Sequence, residues 1–416
     1  MKLTNISKKL ISFFKKSQHI KYIKHTKGTD ILLTELYNAI LMSYNYLSEI
    51  KYNFEIKKLT TSSQIKMPKA SDLSYFPDVV KTHIVEQSKT ELSYTFSLYD
   101  RIVEVNFIVE EPSNACNIEQ YNTYVNSIIM WLFILNQYSS KKCSETLAVK
   151  FYFTSLEKKL PDSNIFIIDT LNVNTAFTTS CTKNAEIVVY RKEEWFKTFI
   201  HETIHSFGLD FSDMNNDYVN KCILNIFKVK SVVNLFESYT EFWAEIINAL
   251  FCSFINLKDK SDLLTFLSNA EMLINFEISY SYFQLVKTLH FMGLTYNDLY
   301  ANNQHSKMLR DTLYKENSNI LSYYIIKTIL ISNYPAFILW CKTNNISLLQ
   351  FNKTFTHQIE LCNFIEKKYK TKTMLENVDN TQILFTRLNN ITNKSNNKSN
   401  NKFMLSNMRM SICELG

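Results

Sequence analysis

Residues 193–211 read EEWFKTFIHETIHSFGLDF, and they contain the pattern His201-Glu202-Thr203-Ile204-His205. Positions i and i+4 of a helix lie one above the other on the same face. His201 and His205 would therefore aim two imidazoles at one point, at the roughly 2.0–2.1 Å reach of a zinc ion. Glu202 sits one step round the helix, where a carboxylate can act as general base on an activated water without ligating the metal. Gly208 suits a left-handed stop just beyond the second histidine. Apolar residues Trp195, Phe196, Phe199, Ile200, Ile204 and Phe207 would wrap the remaining faces of the helix. The plain alternative is a pair of core histidines with incidental hydrogen bonds.

A catalytic zinc takes three protein ligands and keeps a fourth position open. The arrangement HExxHxxGxxH would place the third ligand at 211, but that residue is Phe211. Asp210 is one position off. A richer source lies in residues 234–251, NLFESYTEFWAEIINALF, where Glu237, Glu241 and Glu245 fall at i, i+4 and i+8 on one helix face. Carboxylates on a largely buried helix are costly unless they are paired, hydrogen-bonded or on a metal. A zinc site can use two of them, one on the metal and one on the free N–H of a ligating histidine. The alternative is the wet edge of an amphipathic helix.

On these residues the chain resembles the gluzincin branch of the zincin metallopeptidases, in which HExxH is followed on a second helix by a ligating Glu. The segment Thr240–Glu245, TEFWAE, is similar to that part of the family. The resemblance implies that Glu241 is the third ligand and Glu245 the supporting acid. A register one turn earlier makes Glu237 the ligand and Glu241 the support. The chain departs from the family in two ways: its supporting acid is Glu rather than Asp, and 36 residues separate His205 from Glu241. The resemblance covers roughly 165–250. A further similarity, to zincin-like proteins of large DNA viruses, rests on VVYRKEEWFKTFIHE and GLDFS. It implies a virion or host-cytoplasm setting, and with it the alternative of an inactive zincin-fold binding protein. In zincins the strand beside the active helix pairs with an extended peptide, which points to Asn174 and Ala176 in residues 172–179. Gluzincins also use a late Tyr or His as oxyanion donor, for which His290, Tyr296 and Tyr282 are the candidates.

These residues need a framework. Period-two alternation about Tyr99-Asp100-Arg101 predicts a hairpin over 91–110. A buried helix follows over 117–138, then strands at Leu147–Phe153, Asn164–Ile168 and Glu186–Tyr190, and a helix from 192 to 207. Strands leading into a helix that bears the chemistry imply an α+β unit over 90–215. Helical spacing dominates after about 218, with segments at 234–257, 261–291, 319–341 and 357–370. The expected organisation is a basic helical stretch 1–89, the α+β unit 90–215, a helical part 216–375 and a tail 376–416. Within that tail, residues 389–402 (NNITNKSNNKSNNK) are too polar to bury anything and read as a disordered linker.

The first 28 residues hold eight lysines and no acid, so taking those eight from the net charge of +7 leaves −1 for the rest. Residues 5–24 read as a basic amphipathic helix and 30–50 as a second helix. A basic end on a near-neutral body reads as an appended arm rather than a nucleic-acid-binding domain, either an ordinary solvated helix or an arm for a membrane surface or a polyanion. The 8 cysteines are scattered without a CxxC pair and read as reduced thiols rather than a disulfide framework. No signal-peptide core or bilayer-length apolar run is visible, so an intracellular protein is expected. With 4 glycines the chain has no GxxxxGK[ST], GxGxxG or GxSxG motif, which leaves a nucleotide cofactor and a serine hydrolase unsupported. The expected partner is a peptide or protein substrate.

Overall fold

The structure is a computed structural model that describes residues 1–69, 75–394 and 399–416. The chain opens with helices α1 (Asn5–Ser17) and α2 (Lys27–Tyr46), then strand β1 (Asn53–Lys58) and helix α3 (Asp78–Gln87). The anticipated hairpin is β2 (Thr90–Leu98) and β3 (Arg101–Val109), joined at Tyr99, whose φ is 52°. Helix α4 (Ile118–Asn136) carries the chain across to β4 (Thr146–Phe153), as a parallel pair requires. Next come α5 (Thr170–Val173), β5 (Ala176–Thr178), β6 (Asn184–Val189) and α6 (Trp195–Ser206), which carries the HExxH residues. The fold is α+β: one six-stranded mixed sheet, ordered β1-β2-β3-β4-β6-β5, with helices packed on it and a mostly helical C-terminal part.

That C-terminal part holds α7 (Asp217–Ile226), α8 (Leu235–Ile255), α9 (Leu263–Phe291) and α10 (Gln304–Leu313). A π-helical turn, Leu321–Ile326, runs into α11 (Lys327–Ile331), and α12 (Tyr334–Asn344) follows after a 95° bend. Helices α13 (Phe355–Lys368), α14 (Lys372–Lys394) and α15 (Ser399–Ser406) complete the set. No single described helix is long and apolar enough to span a bilayer; the bent pair Leu321–Ile331 and Tyr334–Asn344 has the composition, and its first member is buried throughout. One apolar cluster runs from Leu10 to Leu415, through all four stretches distinguished in the sequence.

Several expectations are corrected. Residues 164–168 form no strand: Ile165, Phe166 and Ile167 are exposed, and only Ile168 is buried, bridging to Glu316. The apolar triplet imitates a buried strand, but its residues belong to a surface loop. The first helix stops at Ser17, where Gln18 takes a left-handed φ of 40°. On its apolar face Leu10 and Phe14 are buried, and Phe14 packs on Tyr280 and Phe283 of α9. What α1 turns outward is Lys8, Lys9, Lys15 and Lys16.

The expected linker at 389–402 is also revised. Helix α14 continues through 394 and α15 starts at 399, while 395–398 lie outside the described residues. The terminal segment beyond α15 is core: Met408, Arg409, Ser411, Ile412, Cys413 and Leu415 are at most 1% exposed. Its end pairs with the N-terminus through Lys2 N–H to Gly416 O at 3.1 Å and Gly416 N–H to Lys2 O at 2.9 Å.

Thiol chemistry differs at one place. Cys143 and Cys181 form a disulfide, because parallel pairing of β4 with β6 brings the segments before both strands together, with Ser144 N–H to Thr182 O at 2.8 Å. The other six cysteines are unpaired. Gly208, with φ 67°, ends α6 against this disulfide; a Cβ there would lie 3.2 Å from Cys181 Cβ. The position thus requires glycine both for its backbone and for its close approach.

Candidate metal centre

Helix α6 follows β6 directly and packs on α8, whose residues Ser238 to Phe254 are all buried. Trp131 of α4 donates its indole N–H to Thr203 Oγ1 at 2.7 Å, which fixes the rotation of α6 about its axis. On the opposite face His201 and His205 point at each other, with Nε2 atoms 3.1 Å apart. Glu237, in the first turn of α8, brings Oε2 to 3.1 Å from His201 Nε2 and 3.4 Å from His205 Nε2. One ligand atom from each of these three residues falls within 4.8 Å of the others.

The far sides of both rings are also held. His201 Nδ1–H donates to Glu241 Oε2 at 2.8 Å, and His205 Nδ1–H donates to Asp210 Oδ2 at 2.6 Å. A carboxylate only accepts, so each Nδ1 carries a proton, and the Nε2 atoms, which face Glu237 at the shared point, are the ones left for a metal. This carboxylate–imidazole arrangement orients metal-binding histidines and raises their basicity. Burial alone would lower both histidine pKa values. Glu237 and Glu241 outweigh it and raise that of His201; Asp210 and Glu237 raise that of His205 well above its ordinary value. A cation at the centre would take the place of those protons.

The sequence leaves the three glutamates of α8 equivalent; their surroundings separate them. Glu241, favoured as third ligand, is turned away from the convergent point. One of its oxygens accepts from His201, and the other from Lys197 Nζ at 2.7 Å. Glu245, expected to support a histidine, instead meets Lys327 Nζ at 2.6 Å. Glu237 faces the histidines and accepts from Tyr323 O–H at 2.9 Å. The register one turn earlier is the one whose atoms converge. Asp210 is not a ligand but the partner of His205, and Ser212 Oγ steadies its second oxygen at 3.0 Å.

Glu202 is 7% exposed and lines a small cavity with His201, Asn174, Ala176 and Tyr323. Burial raises its carboxyl pKa, an effect opposed by His201 and His205. Asn174 and Ala176 thus do lie at the centre; Ala176 starts β5, the edge strand, and Ser318 Oγ holds Asn174 Oδ1 at 2.6 Å. The suggested oxyanion donors do not. His290 is exposed and stacks beside Phe385, Tyr296 donates to Tyr369 O, and Tyr282 donates to Met374. The tyrosine that does lie there is Tyr323, its ring 6.0 Å from His201. Nothing local marks it among 24 tyrosines, since it comes from the π-helical turn more than a hundred residues downstream.

No family model, no curated protein and no solved structure matches this chain. His201, His205 and Glu237 form a triad able to hold a metal ion. One consequence concerns Asp210. Asp210→Asn keeps the size of the side chain but removes the charge that sets the His205 tautomer. The expected outcome is a metal affinity about 10–100-fold weaker with the fold retained, measured by competition with a chelator. An unchanged affinity would show that Asp210 serves only the turn after α6.

Proposed function

We propose that this chain is a zinc-dependent peptidase of the gluzincin type, with His201, His205 and Glu237 as ligands and Glu202 as general base. The observation that carries the reading is the complete support of the centre: two imidazoles, each with Nδ1 on its own buried carboxylate, a third carboxylate opposite them, and a further one adjacent. Two nitrogens and one oxygen suit zinc, and three protein ligands leave a position open. Zinc there would supply Lewis acidity and bring the pKa of water from 15.7 towards about 7.

The remaining chemistry falls to the chain. Glu202 takes a proton from the attacking water and returns it to the leaving amine, a role helped by burial that raises its pKa. The Tyr323 hydroxyl gives its hydrogen to Glu237 beside the centre; turned from that carboxylate, it would be the donor for a developing oxyanion. The edge strand β5 offers main-chain pairing to an extended substrate.

Glu202→Gln tests this directly. The variant should keep one zinc per chain and lose about 10²–10⁴-fold in cleavage of a mixed peptide library. If wild-type protein binds metal in stoichiometric amount and both proteins are equally inert, the peptidase reading fails. A second reading, a zincin-fold protein that binds without turnover, is favoured by one feature. The cavity at the centre measures only about 40 Å³, and Met410 and Tyr323 are among its lining residues. That is room for a water or two, so a peptide side chain enters only if the lining yields.

A further inference from the structure

Two hydroxyls beside the centre are unused by the chemistry above. Thr198 lies on α6 one turn before Glu202, and Thr175 immediately precedes the edge strand β5. Each is 5% exposed, each lines the same cavity as His201 and Glu202, and neither hydroxyl has a hydrogen-bond partner. A buried threonine on a helix ordinarily returns its hydroxyl to a carbonyl a turn back, as Thr203 does to Phe199 O at 2.8 Å. Thr198 does not. The same cavity is lined by Lys158 and Lys197, which are ion-paired with Glu194 and Glu241. Of the two carboxylates in the lining, Glu241 is engaged by Lys197 and His201, so apart from Glu202 what the cavity presents to a ligand is a set of groups able to donate.

We propose that Thr175 and Thr198 form a specificity subsite that selects a compact, acceptor-bearing side chain, aspartate or asparagine, next to the bond to be cut. This rests on the peptidase reading for the words "bond to be cut", but the recognition itself does not require turnover. The physical basis is asymmetry: a site built to hydrogen-bond a polar group rejects an apolar isostere strongly, because its own buried polar atoms are then left unpaired. A leucine or valine side chain entering here would strand both hydroxyls. A carboxylate or amide would satisfy them. Aspartate and asparagine are the shortest side chains that carry such an acceptor, so they ask the least movement of the lining, and glutamine or arginine ask more.

The test separates recognition from catalysis. Zinc-loaded Glu202→Gln protein is immobilised and exposed to a randomised peptide library, and retained peptides are sequenced. Thr175→Val and Thr198→Val, singly and together, are carried in the same background. Valine matches threonine in shape, so zinc content and thermal midpoint serve as controls on folding, and either single variant serves if the double one is unstable. Aspartate and asparagine should be enriched at one position, and the enrichment should fall about tenfold or more for each hydroxyl removed, with valine rising in their place. A flat profile, an apolar preference, or a preference indifferent to the threonines overturns the subsite. Cleavage of the same library by wild type decides the peptidase reading separately. Enrichment without cleavage keeps the subsite and ends that reading, whereas cleavage without enrichment does the reverse.

Discussion

Glu237→Ala should abolish stoichiometric metal binding and leave the chain folded, whereas Glu241→Gln should bind metal more weakly and lose stability. The two residues lie one turn apart on the same helix, yet the expected failures differ in kind. Structural zinc sites with four ligands gain about 10–16 kcal/mol, so a single ligand is worth about 3–4 kcal/mol, or about 10²–10³-fold in affinity. Glu237 presents its oxygen to both Nε2 atoms, so its removal subtracts a ligand. The side chain is 14% exposed, against 1% for Glu241, so its removal leaves a gap nearer solvent than the loss of Glu241 would.

Glu241 is a different case. It is 1% exposed and answers the charge of Lys197, which is 4% exposed. Breaking a buried pair on one side costs about 3–5 kcal/mol, because the other charge is left uncompensated. The glutamine can still accept from His201, so the metal affinity should fall by only about 10–100-fold. Zinc stoichiometry by elemental analysis, with thermal unfolding of the metal-free proteins, separates the two outcomes. If the roles were reversed, with Glu241→Gln losing the metal outright and Glu237→Ala merely weakening it, the assignment of the third ligand would move one turn along α8.

That choice shows where local sequence stops being informative. The HExxH helix, its glycine stop, the hairpin at Tyr99 and the buried strands β4 and β6 are all written in short-range spacing, and the structure has them where the periodicity puts them. Glu237, Glu241 and Glu245 have identical spacing, and what distinguishes them is remote. Lys197 on α6 claims Glu241, and Lys327 after the π-helical turn claims Glu245. Among the described residues no lysine pairs with Glu237, and it is left for the histidines. Asp210 was visible as an acid near the motif, but its role depends on how tightly the chain turns after Gly208. The triplet Ile165-Phe166-Ile167 misleads in the opposite sense, because hydrophobicity alone does not say that a segment finds a partner. Strand β1 was missed because five of its six residues are exposed at the sheet edge, where burial leaves little imprint on residue choice.

The C-terminal residues carry the same lesson to its largest energetic consequence: ending the chain at Ser406 should prevent folding. Deletion of 407–416 uncovers Met408, Met410, Ile412, Cys413 and Leu415, each at most 5% exposed. At about 1.5–3 kcal/mol for each larger side chain, their burial contributes on the order of 8 kcal/mol or more, an upper estimate because unfolded chains already bury some surface. The electrostatic loss adds to this. Glu277 on α9 accepts the backbone N–H groups of Ile412 and Cys413, both at 2.9 Å, and the Ser411 hydroxyl at 2.7 Å. Glu194, at the start of the HExxH helix, accepts from Met410 and Ser411 N–H at 2.9 and 2.6 Å. Both carboxylates are fully buried, and without the segment each loses donors that nothing else replaces. The sum exceeds or matches the roughly 5–15 kcal/mol by which a protein of ordinary stability is folded. The truncated protein should therefore be insoluble, or keep helical far-ultraviolet dichroism while losing its near-ultraviolet signal and its metal. Met410 links the segment to the centre, since it lines the cavity there and touches Lys197, the partner of Glu241. A truncated chain that unfolds cooperatively within a few degrees of the intact one would show that the segment is a cover rather than part of the core. Restoration of the near-ultraviolet signal and metal binding by a synthetic peptide of residues 407–416 would show instead that the segment acts through the contacts named here.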